Sequence, residues 1–140
     1  PAIGREKAGI AKAGRALVLG LEPDHPAFDA IAARAAEVGA PLRVLGRDYA
    51  YRVEDGGRDV AVETWRGRTL RARLPHAVPF HARDLAIALA LLEAAAERGR
   101  LPDPAPYLGG AGEDLRVPGR FELLSGTPRA LLDGAHNDEA

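Results

Sequence analysis

Residues 16–45 read ALVLGLEPDHPAFDAIAARAAEVGAPLRVL. Ala16-Leu17-Val18-Leu19-Gly20 is a short continuous apolar run, the pattern of a strand covered on both faces. After LEPDHP, apolar residues fall at Phe28, Ile31, Ala32, Ala35 and Val38, which is helical spacing. Asp24 or His25 can cap that helix, Pro26 suits its first turn and Gly39 ends it. Residues 42–45 then form the next strand. Strand, helix, strand within thirty residues is a βαβ-type unit, so the spacing predicts an α/β fold with a parallel sheet.

The pattern changes downstream. Tyr49, Tyr51 and Val53 alternate, as do Val60, Val62 and Thr64, and then Leu70, Ala72 and Leu74. Asp55-Gly56-Gly57 and Arg66-Gly67 supply turns, so this stretch reads as an antiparallel meander with Trp65 covering it. Residues 81–98 are rich in Ala and Leu, with Leu85, Leu89, Leu92 and Ala96 on one face and Gly99 as stop; this is a helix. The stretch LPDPAPYLGGAGEDLRVP, residues 101–118, reads as linkers around a short frayed helix. Residues 121–124 and 129–132 form a hairpin around Gly126-Thr127-Pro128. Ala130-Leu131-Leu132 has the look of a buried strand that runs into Asp133-Gly134-Ala135-His136-Asn137. In open α/β sheets ligands bind just beyond a strand's carboxyl end. The helix expected after that loop does not arrive, so the chain reads as a fragment.

Composition excludes several classes. A chain of 140 residues buries roughly 70% of its unfolded surface, enough for a core. A net charge of −1 provides no field for nucleic acid or an anionic membrane. The absence of Cys removes disulfides, thiolate metal sites and Cys nucleophiles. No apolar run reaches the length of a membrane span and no signal peptide is present, which points to the cytoplasm. Ser125, the only serine, lies in a turn-like SGT context and gives a Ser-His-Asp site little support.

Three groups of residues can carry chemistry. Lys7 and Lys12 are the only lysines, against 17 arginines. Lys can be neutralised and modified, whereas Arg keeps its proton. In DGAHN, Asp133 can accept hydrogen bonds from vicinal hydroxyls, and His136 and Asn137 can contact a base or phosphate. The same pentapeptide also suits an Asx-capped turn. Arg120 follows a Pro-Gly turn and presents a planar fork to phosphate oxygens, or is a surface arginine.

In order along the chain stand EKAGI-x-K-x-G at residues 6–14, the helix after His81, PGRFE at 118–122 and DGAHN at 133–137. That series resembles the folylpolyglutamate synthase/dihydrofolate synthase family, ATP-dependent amide ligases related to the Mur ligases. The resemblance implies a P-loop-type Mur ligase central domain ending near residue 116. The first strands of a Rossmann-like C-terminal domain follow, in residues 117–140. It implies ATP and Mg2+ as cofactors, with L-glutamate and a dihydropteroate or folate as substrates, joined through an acyl phosphate in a monomeric, cytoplasmic parent enzyme. By the same resemblance Lys7, as a carbamate, helps to hold magnesium, and Lys7 and His136 are the catalytic residues. Arg120, Asp133, His136 and Asn137 surround the nucleotide. Asp84 stands where the family has an adenine-contacting Asn, and His81 replaces a family Gln. The family's GxxGKG[ST] phosphate loop and its magnesium-binding Glu and His are not in this sequence, so the chain alone is expected to be inactive. The other readings are a Mur-type ligase for a cell-wall precursor and a non-catalytic α/β remnant.

Overall fold

The structure, a computed structural model, describes residues 2–109 and 117–134. It opens on a short helix that the sequence reading did not anticipate, α1 (Ala2–Ala8). There follow β1 (Leu17–Leu19), α2 (Phe28–Val38) and β2 (Leu42–Val44). β1 and β2 pair in parallel, Leu17 opposite Leu42 and Leu19 opposite Val44, so the βαβ unit forms as predicted. Alternation along β1 divides its side chains between two layers. Leu17 and Leu19 pack with Ala8, Ile31 and Phe28 under α1 and α2, while Val18 faces the main core.

Gly39 ends α2 in the left-handed conformation, φ 69°, with its N–H on the Ala36 carbonyl at 3.1 Å. The start of α2 differs from the expected cap. Ala27 is the N-cap and makes no side-chain cap bond; its own N–H donates to His25 Nδ1 at 3.1 Å. Two successive turns cause the delay, His25 N–H to Glu22 O and Phe28 N–H to His25 O. They use up Asp24, His25 and Pro26 before the helix begins.

The meander comprises β3 (Ala50–Val53), β4 (Asp59–Glu63) and β5 (Thr69–Arg73), antiparallel in that order. Its inner face, Val60, Val62, Leu70, Ala72 and Leu74, packs on α3 (Pro79–Glu97). Each fully buried Val or Leu contributes roughly 1.5–3 kcal/mol, so this layer is the main source of stability. Trp65 lies against the same core as expected.

The buried face of α3 is not the predicted leucine stripe. It runs through Ala82, Ala86, Leu89, Ala90, Glu93 and Ala94, with Leu85 and Leu92 only partly covered. Small alanines allow close approach to the meander, and the buried Glu93 is held by arginines from the facing turn. Where a frayed helix was expected after Leu101, a single 3-10 turn forms at Ala105–Tyr107. The last hairpin, β6 (Glu122–Leu124) and β7 (Ala130–Leu132), forms where predicted and pairs Leu123 with Leu131. Its strands are not buried: Leu131 and Leu132 are about half exposed, because no second layer covers the hairpin among the described residues.

Candidate functional site

The site is built where the two ends of the β6–β7 hairpin meet. Pro118 and Gly119 turn the chain just before β6, Gly119 at φ 73° and the Arg120 N–H on Val117 O at 3.0 Å. Glu122 reaches back to accept the Gly119 N–H at 2.8 Å. From the far end of the hairpin, Asp133 Oδ2 accepts the Phe121 N–H at 2.7 Å. Register explains the meeting: Glu122 pairs with Leu132, which places residues 120–121 beside residues 133–134. The Arg120 guanidinium lies over Gly134 so closely that a Cβ there would come to 3.1 Å from Nη1 and 3.3 Å from Cζ. PGRFE and the start of DGAHN, fifteen residues apart in sequence, are therefore one structural unit.

The corner also touches α3. The Phe121 ring lies 5.7 Å from the ring of His76 and 6.1 Å, edge-on, from that of His81; His81 in turn meets Phe80 edge-on at 4.5 Å. Phe121 is in the left-handed region, φ 44°, the one non-glycine with positive φ among the described residues. A bulky side chain rarely adopts that backbone. No sequence signal marked it beyond its place after a Pro-Gly turn.

The other candidates fall on separate elements. Lys7 is exposed on the last turn of α1, its Nζ 4.0 Å from Glu6 Oε1. α1 sits tightly on the start of α2, where a Cβ on Gly4 would stand 3.0 Å from Ala27 Cβ. Asp84 is exposed near the start of α3. Its neighbour Arg83 grips the Gly20 carbonyl, from Nη2 at 2.6 Å and from Nε at 3.1 Å. Tyr49 donates its hydroxyl to the Leu19 carbonyl at 3.0 Å. The carboxyl end of β1 is thus clamped to α3 and to the entry of the meander. Burial pushes the Tyr49 hydroxyl up to about 12, with Arg83 acting in the opposite direction. His136 and Asn137 lie outside the described residues.

Chemically, the corner presents an exposed guanidinium on a backbone surface kept open by glycine, beside a carboxylate. That donor set fits phosphate oxygens, and a carboxylate with two oxygens can accept from hydroxyl groups. A divalent cation is less well served. No three His, Cys, Asp or Glu side chains converge on a cation position among the described residues. Lys7 as a carbamate would bring one oxygen ligand. No helix among the described residues is long and apolar enough to cross a membrane.

No family model matches the chain. Among curated proteins it is 37% identical over 138 residues to the Escherichia coli dihydrofolate synthase/folylpolyglutamate synthase, 99% of this chain and 30% of that protein. Among solved structures, E. coli FolC in complex with DHPP and ADP matches 97% of the chain and 30% of its own, with a TM-score of 0.77 and 36% identity. The bifunctional folylpolyglutamate synthase/dihydrofolate synthase of Yersinia pestis, complexed with AMPPNP and Mn ion, matches with a TM-score of 0.73 and 31% identity, over 97% and 30% of the two chains. The chain spans about a third of the length of the curated relatives it matches. The α/β fold and the resemblance to folylpolyglutamate synthase/dihydrofolate synthase proteins expected from the motifs are both borne out.

Proposed function

We propose that this chain is the nucleotide-handling part of an ATP-dependent, ADP-forming amide ligase that adds L-glutamate to dihydropteroate, to a folate, or to both. The observation that carries the reading is the Arg120 guanidinium lying over Gly134 while Asp133 takes the N–H of the next residue, Phe121, in a chain similar over nearly its whole length to a protein solved with ADP. In this reading the domain boundary falls near residue 116, and the parent is a cytoplasmic monomer using magnesium.

ATP phosphorylates the acceptor carboxylate, and the glutamate amine then attacks the acyl phosphate, releasing phosphate and leaving an amide. Charge builds on the transferred phosphoryl oxygens, where a fixed guanidinium stabilises it. Arg120 takes that role. Asp133 accepts from the ribose hydroxyls, with His136 and Asn137 close to the nucleotide. Asp84, an acceptor only, suits an exocyclic amine of the base and not a ring nitrogen. Magnesium, when bound, neutralises phosphate charge, and Lys7 as a carbamate would give it one hard oxygen ligand. The phosphate loop is not among these 140 residues, so the ligation is proposed for a protein that carries both parts. The relatives match folate ligases, and nothing in the structure favours a cell-wall substrate.

The test is glutamate incorporation by the complete gene product with ATP, offered dihydropteroate and tetrahydrofolate separately. Asp133→Ala should raise the KM for ATP far more than that for glutamate. No incorporation with either acceptor, or equal effects on both KM values, overturns the reading.

A further inference from the structure

We propose that Phe121 is a positioning residue for Arg120, seated between His76 and His81 so that the guanidinium is held at a fixed place relative to the start of α3. The inference rests on the nucleotide reading above and adds to it the parts that aim its phosphate-binding arginine.

The backbone on both sides of Arg120 is constrained. Before it, Gly119 has φ 73° and its N–H is taken by Glu122. After it, Phe121 has φ 44° and its N–H is taken by Asp133. Glycine would occupy φ 44° without steric conflict, so a phenylalanine there is accounted for by what its ring does. The ring joins two pieces of chain that no strand pairing connects: the β6–β7 hairpin, and the segment from His76 to His81 that leads into α3. Edge-to-face aromatic geometry is directional, so this contact sets orientation as well as distance. Glu122 and Asp133 hold the corner to its own hairpin, and the ring adds a contact with His76 and His81 at the start of α3. Without the ring, Arg120 would keep its local shape but lose its aim with respect to α3.

The test uses the complete gene product with four variants: Arg120→Ala, Phe121→Gly, Phe121→Tyr and the double variant Arg120→Ala/Phe121→Gly. Phe121→Gly removes the whole side chain but relieves the positive φ, and the two effects oppose each other, so its melting temperature should stay close to wild type. Its kcat/KM for ATP should fall roughly ten- to a hundredfold, as misplacement of a catalytic group does, while the KM for glutamate is unchanged. Phe121→Tyr should retain most activity. The double variant should be no worse than Arg120→Ala, since the ring acts through the arginine. In NMR spectra the His76 and His81 ring protons should shift in Phe121→Gly. A normal kcat/KM in Phe121→Gly, multiplying losses in the double variant, or unmoved histidine signals overturns the proposal. If Arg120→Ala itself leaves ATP kinetics unchanged, the nucleotide reading of Arg120 fails, and the positioning role falls with it. A defect in Arg120→Ala without one in Phe121→Gly sinks only the positioning role.

Discussion

Arg68, on the turn between β4 and β5, donates from Nη2 to Oε2 of Glu93 at 2.7 Å, and Glu93 is completely buried towards the carboxyl end of α3. Thr64 Oγ1 donates to the other carboxylate oxygen at 3.3 Å, and Arg66 Nε stands 3.8 Å away. Asp103 then takes two further N–H bonds from Arg68, at 2.9 and 3.1 Å. The meander, α3 and the segment after α3 are tied together through one guanidinium.

Removing Arg68 takes the closest cation from a buried carboxylate and leaves it Arg66 at 3.8 Å and the Thr64 hydroxyl. Arg68→Ala should therefore destabilise the fold by about 3 kcal/mol, the lower end for a buried pair because Arg68 keeps some contact with water. Replacing both residues by Met should recover most of that loss. Urea unfolding of the single and double variants checks this, and an unaffected Arg68→Ala would show the network to be ornamental.

A second contact sets how closely β1 approaches α3. A Cβ added at Gly20 would stand 2.3 Å from Ile87 Cδ1 and 3.0 Å from its Cγ1. Gly20→Ala should cost about 1–3 kcal/mol through overpacking. Ile87→Val trims the clashing methyl, so the double variant should be more stable than Gly20→Ala alone. Additive losses in thermal melts would argue against this contact.

Much of this architecture was legible because period and punctuation agree. The apolar run at 16–20, the helical spacing from Phe28 to Val38 and Gly39 lead directly to β1, α2 and its left-handed cap. The alternations ending in Leu74 lead likewise to the meander. Long-range pairing was not legible. Nothing local to Glu93 announces that Arg68 faces it, so the leucine spacing of α3 points to a different stripe and leaves the carboxylate unmarked. The site was half legible: PGRFE and DGAHN are visible as motifs, and the β6–β7 register is what brings Arg120 to Gly134. The strained Phe121 and its histidine neighbours depend on contacts from residues forty positions away, which no window of sequence contains.

Tyr49 makes a pH-dependent contribution with a defined sign. Its hydroxyl is buried on the Leu19 carbonyl, and its folded value of about 12 lies above the ordinary value of 10.0. The unfolded chain therefore releases this proton first. The stabilisation is fully present below pH 10 and is lost as the pH rises from 10 towards about 12. Tyr49→Phe should remove that dependence and cost about 1 kcal/mol at neutral pH for the missing hydrogen bond. Unfolding free energies of both proteins across pH 8–12 test it; parallel curves would assign the alkaline loss to other groups.

Lys7 yields the sharpest chemical test of the ligase reading. It is exposed on α1 with only a 4.0 Å approach to Glu6, so its side chain does little for the fold, and Lys7→Ala should change stability by less than about 0.5 kcal/mol. Its proposed value is as an amine that takes up carbon dioxide and becomes an oxygen ligand, a reaction closed to arginine. Both Lys7→Ala and Lys7→Arg in the complete gene product should therefore lose activity while folding normally. A short carboxylate such as acetate, added in excess, should restore part of it to Lys7→Ala, where the space is vacant, and less to Lys7→Arg, where a cationic side chain still fills it. Wild-type turnover in Lys7→Ala, or equal rescue of both variants, would remove the carbamate from the mechanism.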